Sequence, residues 1–226
     1  MITITKNNQP GSLISFIKNG GKAYSDLDKG TKKDITDSLL QEQGYLCAYC
    51  MRRIPRKERN PNCKIESDPE FLSDNVRIEH LKEQTNNKSL QLDYHNMFAV
   101  CPGYLGGYTH CDRSKGCNPI SLSPLDARLE QSISYNIKDG AIKSSNHEWN
   151  TDLTATDRLN LNSNPLKACR KKVIEGVIET ITKRKWSKIK LQNQLDLWNQ
   201  RDKEGNSREY LGIVRYFINR KLRTLK

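Results

Sequence analysis

The chain has 226 residues, 35% of them hydrophobic, enough for one sizeable domain or two small ones around a thin core. A mean hydropathy of -0.80 argues against a membrane protein, and no apolar run approaches the ~20 residues that span a bilayer. The opening MITITKNNQPGSLISF lacks a basic stretch followed by a long apolar one, so a secretory signal is not expected and a cytoplasmic location is. With 38 Lys and Arg against 26 Asp and Glu the net charge is +12, which favours a polyanionic partner, nucleic acid first. Seven cysteines, an odd number, argue against a disulfide framework and for metal ligation in a reducing compartment.

In chain order, Thr31-Lys32-Lys33-Asp34 reads as a capping box opening a helix through Ile35, Leu39 and Leu40 that ends near Gln43-Gly44. Cys47-Ala48-Tyr49-Cys50 is a CxxC. Residues 51–75, rich in Arg, Asn, Pro and Asp, read as a loop. Val76–His80 and Asn96–Cys101 read as short strands. Ile133–Ile137 and Ala141–Lys143 read as a hairpin about an Asp-Gly turn. Asn164-Pro165 reads as an N-cap and first helical residue. An apolar stripe then follows through Cys169, Val173, Val177 and Ile181, with Ile174 and Ile178 beside it. Two more helices are expected, over Trp186–Trp198 and through Leu211, Val214, Ile218, Leu222 and Leu225.

The charge is concentrated at one end. Residues 165–226 hold 17 Lys and Arg against 6 Asp and Glu, whereas the preceding 164 hold 21 against 20. Lys183, Arg184, Lys185 and Lys188 are the candidate nucleic-acid contacts.

Two thiolates on a tight turn suit one tetrahedral zinc ion. A structural Zn site is expected from Cys47, Cys50 and Cys101, with Cys111 as fourth ligand or His110 in its place. Cys63 and Cys117 are further candidates, and Cys169 on the helical stripe reads as a small buried hydrophobe.

Between and after the cysteine pairs come Glu79-His80, Asn96, Asp112 and Lys115. That order, over about 70 residues, resembles the zinc-containing HNH nucleases. The wider pattern is similar to the retron- and Septu-associated HNH proteins of PtuB type. It comprises Gly44-Tyr45-Leu46-Cys47-Ala48-Tyr49-Cys50-Met51-Arg52-Arg53-Ile54, Arg77-Ile78-Glu79-His80, Leu92-Asp93-Tyr94-His95-Asn96, His110-Cys111-Asp112-Arg113-Ser114-Lys115-Gly116 and Leu159-Asn160-Leu161-Asn162. The resemblance implies an α+β fold: a zinc-stabilised ββα-metal core over 46–127, a helical segment over 1–45, and a hairpin followed by a basic helical region over 128–226. It also implies an antiphage role beside an SMC/ABC-like ATPase.

Phosphodiester hydrolysis needs an activated water, charge neutralisation at phosphorus and help for the leaving oxygen. His80 is the expected general base. Glu79 and Asp112 are oxygen ligands for one Mg or Mn ion. Asn96 is expected to hold His80 or its loop, and Lys115 to contact phosphate or the carboxylate. Glu79 stands where the family usually has Asp, and Asp112 where it has Asn or His. DNA is the first candidate substrate and RNA or tRNA the other. The competing expectation is an inactive zinc-stabilised module that binds nucleic acid or a partner.

Overall fold

The protein is described by a computed structural model covering residues 1–54, 76–183 and 186–225. The expected loop between 55 and 75, with Cys63, lies outside the described residues, as do Arg184 and Lys185. The architecture is α+β: helices packed around three separate two-stranded antiparallel sheets.

Helix α1 (Gly11–Lys18) packs on α2 (Lys29–Glu42). The α2 cap is Asp28, not Thr31. Its carboxylate accepts from the Thr31 backbone N–H at 2.9 Å and the Thr31 hydroxyl at 2.7 Å. The Asp28 carboxylate satisfies the orphan amide of Thr31, so the helix starts three residues earlier than a Thr31 cap would place it. It buries Ile35, Leu39 and Leu40 and stops at Gly44, whose φ is +59°. A Cβ there would stand 2.1 Å from Ser207 Oγ, so glycine is required by space as well as by backbone.

The buried Gln43 amide then pairs with Ala99 as a strand would. Its Nε2 donates to the Ala99 carbonyl at 2.7 Å, and its Oε1 accepts from the Ala99 N–H at 2.8 Å. This joins the end of α2 to strand β2 (Met97–Val100), all four residues of which are buried. β2 pairs with β1 (Arg77–His80) in the register Glu79↔Phe98 and His80↔Met97. A miniature hairpin, β3 (Tyr104–Leu105) and β4 (Tyr108–Thr109), leads to the four-residue helix α3 (Asp112–Lys115).

After α4 (Leu129–Ser132) comes the hairpin of β5 (Ile133–Tyr135) and β6 (Ile142–Ser144). Its connection is longer than a two-residue Asp-Gly turn. The Asn136 side chain accepts from the Lys138 N–H, forming a local turn that ends the strand early. An unforeseen helix, α5 (His147–Thr154), is capped by Asn146. The tail forms α6 (Asn164–Lys183), α7 (Lys188–Asn199) and α8 (Leu211–Thr224).

The α6 stripe differs from its periodicity. The buried positions are Leu166, Arg170, Ile174, Val177 and Ile181, whereas Cys169, Val173 and Ile178 lie at its edge. Arg170 turns inward because its guanidinium finds the Gly140 carbonyl at 2.6 Å and Asn162 Oδ1 at 3.0 Å.

One buried cluster runs from Met1 to Ile218 and takes in residues of α1, α2, β2, β5, β6 and the tail helices, with Ile78 of β1 and Leu105 of β3 packed against it. The tail clasps the CxxC turn: Arg53 donates from its backbone to Glu209, and Tyr210 donates to the Met51 carbonyl. Arg201 donates to the Gln41 and Glu42 carbonyls at the end of α2, where a cation also suits the helix dipole. No described helix is long and apolar enough to cross a membrane.

Candidate functional site

Residues 46–53 fold into a tight knuckle closed by the Leu46↔Arg53 bridge and the Cys47 N–H to Arg52 carbonyl bond. Cys101 leaves the end of β2, and Cys111 precedes α3. The Cys111 amide is anchored on the Leu159 carbonyl at 2.9 Å. The Leu159–Asn162 motif thus serves structure, with Asn160 also holding the Thr109 carbonyl.

The four buried sulfurs of Cys47, Cys50, Cys101 and Cys111 lie within 4.8 Å of one another. Three of the sulfur–sulfur edges are 3.8 Å (47–111), 3.7 Å (50–101) and 4.0 Å (101–111). Four sulfurs about 2.3 Å from a central zinc in a tetrahedron have edges of about 3.8 Å, so the donor set fits that ion.

Electrostatics favour a cation there. Burial opposes ionisation of Cys47, but hydrogen bonds from Cys101, Cys111 and Cys50 outweigh it and hold its thiol well below the ordinary value. Burial, joined by contact with Cys101, Cys47 and Cys50, pushes Cys111 up. A cation among the sulfurs would favour their thiolate form.

His110, the alternative fourth ligand, is not in this group. Its Nδ1 stands 3.2 Å from Cys111 Sγ, and burial lowers its pKa to about 4. A neutral ring in that position donates an N–H to the sulfur instead of replacing it.

Next to the knuckle the strand period and the helix period meet. Arg77 and Glu79, two apart on β1, share a face. Asp112 and Lys115, three apart on α3, also share one. The faces pair as two ion pairs. Arg77 Nε is 2.6 Å from Asp112 Oδ2, and Lys115 Nζ is 2.8 Å from Glu79 Oε1. The second pair is buried, Lys115 being 1% and Glu79 4% exposed.

The two carboxylates lie within hydrogen-bond reach of each other. Burial first, then the bond to Asp112 and its charge, push Glu79 up to about 8 despite Lys115. Two facing carboxylates that must share a proton are a fitting pair of oxygen ligands for a hard divalent cation.

His80 ends β1 and makes contacts of its own. Its ring meets Tyr24 edge-on at 4.8 Å, its Nε2 is 3.0 Å from the Gln91 carbonyl, and its Nδ1 is 3.1 Å from the Gln84 amide nitrogen. Burial lowers its pKa, so the ring is neutral at pH 7. Lys115 and Asp112 stand close enough to act on its charge.

Asn96 does not touch the His80 ring. Its side chain accepts from the Lys82 N–H at 2.7 Å and donates to the carbonyls of Lys82 at 2.9 Å and Leu90 at 3.2 Å, clamping the loop that carries Gln84 and Gln91.

Sequence reasoning missed Tyr49, fully buried, whose hydroxyl reaches Glu79, and Arg77, the partner of Asp112. Tyr49 stands inside the CxxC, which was its available signal. Of the proposed tail contacts, Lys188 is exposed on the first turn of α7; the Lys183 side chain, Arg184 and Lys185 lie outside the described residues.

No protein-family model matches the chain. A Vibrio cholerae serotype O1 biovar El Tor protein named "Retron Vc95 putative HNH endonuclease" is 25% identical over 207 residues, covering 86% of this chain and 92% of that one. The likeness runs across both the cysteine cluster and the carboxylate site, and it supports an HNH endonuclease family.

Proposed function

We propose that the protein is a metal-dependent HNH endonuclease whose ββα core consists of β1, β2 and α3, with structural Zn on Cys47, Cys50, Cys101 and Cys111. The observation that carries this reading is the facing of Glu79 and Asp112 beside a neutral His80, on elements fixed by the cysteine cluster.

Glu79 and Asp112 would hold one Mg or Mn ion, which when bound supplies charge neutralisation at the phosphate and at the departing oxygen. The chain's own residues do the rest. The Gln91 carbonyl can only accept, so it keeps the His80 proton on Nε2 and leaves the lone pair on Nδ1. Nδ1 takes a proton from water. The water oxygen bonds phosphorus, the bridging P–O bond breaks, and its electron pair leaves on the 3′ oxygen. Asn96 holds the loop that fixes the ring. Lys115 is paired with Glu79, and with a cation on that carboxylate its ammonium would be available to phosphate.

The retron in the relative's name supports an antiphage effector role. An SMC/ABC-like ATPase partner rests on the motif resemblance. DNA is the first substrate to test, RNA and tRNA the next.

The inactive-module reading has one observation in its favour: Glu79, Lys115 and both His80 nitrogens are already satisfied within the protein. The deciding experiment incubates purified protein with plasmid, single-stranded DNA and tRNA, alone and with the genomic-neighbour ATPase, in Mg²⁺, Mn²⁺ or EDTA. Metal-dependent cleavage lost in His80→Ala supports the nuclease. Absence of cleavage under every condition supports the binding module.

A further inference from the structure

The base nitrogen of His80 is not open. With the ring proton held on Nε2 by a carbonyl, Nδ1 is an acceptor, and only a donor can face it. Gln84 must therefore present its NH₂ there, and it does, at 3.1 Å. This is the place a water must occupy to give up its proton. Hydrolysis and the observed contact exclude each other, because one lone pair serves one donor.

Gln84 sits in a turn, residues 84–86, within the loop that Asn96 clamps. Among the described residues its side chain has one hydrogen-bond partner, His80. The neighbouring polar contacts are made by others: Asn86 and Asn87 bond Glu83. The Gln84 amide thus has no structural duty besides covering the histidine, and a half-exposed turn residue can swing outward without unpacking the core.

We propose that Gln84 is a positioning residue for the hydrolysis. In the resting protein it occupies the place of the attacking water at His80 Nδ1, and the incoming strand and its water displace it. The proposal rests on reading His80 as the base, and it extends that reading to how the site is kept closed before substrate arrives. Displacement removes one neutral hydrogen bond, so it taxes the unstimulated reaction without altering the chemistry at phosphorus.

Two substitutions move in opposite directions if this is right. Gln84→Ala uncovers Nδ1 and should raise kcat/KM by about three- to ten-fold, the worth of one neutral hydrogen bond. Gln84→Glu replaces the donor by an acceptor that holds a proton on Nδ1, and should lower kcat about 10²-fold or more, as loss of a general base does.

The substrates are bis(p-nitrophenyl) phosphate and single-stranded DNA with Mg²⁺, and zinc content is measured alongside as a check on folding. A residue of merely structural value would give losses of similar size in both variants, and that result overturns the proposal.

The contact is also read without activity. In full-length protein loaded with zinc alone, the ¹⁵N resonance of His80 Nδ1 should move toward that of a free acceptor in Gln84→Ala, while Nε2 stays protonated. An unmoved Nδ1 resonance overturns the proposal even if no substrate is ever cut. Cleavage that survives His80→Ala would instead overturn the assignment of the base.

Discussion

Tyr49, held between the two cysteines of the CxxC turn, donates its hydroxyl to Glu79 Oε1 at 3.1 Å from full burial. The phenol is thereby a mechanical link between the thiol cluster and the carboxylate that faces Asp112. Burial and the Glu79 charge keep it protonated, well above the ordinary value, so it acts only as a donor. Tyr49→Phe should keep the ring's packing and the zinc content and remove the donor. Cleavage should fall about tenfold while stability changes by only about 1 kcal/mol. Parallel urea melts and initial rates check this.

The cysteine cluster should carry folding free energy as well as geometry. Removing one thiolate leaves three sulfurs unable to close a tetrahedron, and apparent zinc binding can be worth about 10 kcal/mol or more to a small domain. Cys47→Ser should lose zinc by elemental analysis and lose cooperative melting, not only cleavage. His110→Ala should keep zinc and lower its affinity by about tenfold or more, the usual cost of an outer hydrogen bond to a ligand.

The Glu79–Asp112 pair gives a pH dependence with a definite sign. Glu79 is raised from 4.5 to about 8 in the divalent-free fold, so the folded state holds a proton there that the unfolded chain has released. Its contribution to stability is full below pH 4.5 and is lost as pH rises through about 8. Zinc-loaded, Mg²⁺-free protein should therefore lose denaturant resistance progressively between about pH 4.5 and 8, and Glu79→Gln should flatten that slope. A divalent cation must displace the same proton, so its affinity should rise by about tenfold per pH unit up to about 8. Mn²⁺ titration by calorimetry at three pH values tests both statements.

Asn96 is predicted to act through the loop. Asn96→Ala removes three partly buried hydrogen bonds that hold residues 82–90, each worth about 0.5–1.5 kcal/mol. Both kcat and thermal stability should fall, and hydrogen exchange should accelerate in that loop while α8 stays protected.

For the basic tail, reversal of Lys183, Arg184, Lys185 and Lys188 to Glu should weaken nucleic-acid binding and flatten its salt dependence by about 0.9 per lost phosphate contact. Metal dependence should not change. Unchanged binding with lost ATPase association would identify the tail as a docking surface.

What the sequence reveals depends on how local each cause is. The order of Glu79, His80, Asn96, Asp112 and Lys115 between cysteines is visible because each residue sits at an element end marked by its own neighbours. The face shared by Asp112 and Lys115 follows from helical spacing alone. Partners are another matter. That Glu79 meets Lys115 and Asp112 meets Arg77 depends on how β1 lies against α3, which no local period encodes. Arg170 is the sharpest case. Its charge places it with the solvated tail, yet a carbonyl and an amide oxygen from other elements make the interior acceptable. The buried Lys6–Glu42 pair is equally silent in sequence, since its members are 36 residues apart.

The clasp of Arg201, Glu209 and Tyr210 on the end of α2 and the CxxC turn has a consequence for how the protein comes into being. During synthesis the cysteines and the His80 strand leave the ribosome about a hundred residues before the segment that covers them. Until that segment arrives, the Gln41 and Glu42 carbonyls and the wall of the knuckle that α8 packs beside stay wet. The order of translation thus leaves the CxxC turn uncovered on one side until residues 201–210 emerge and close over it.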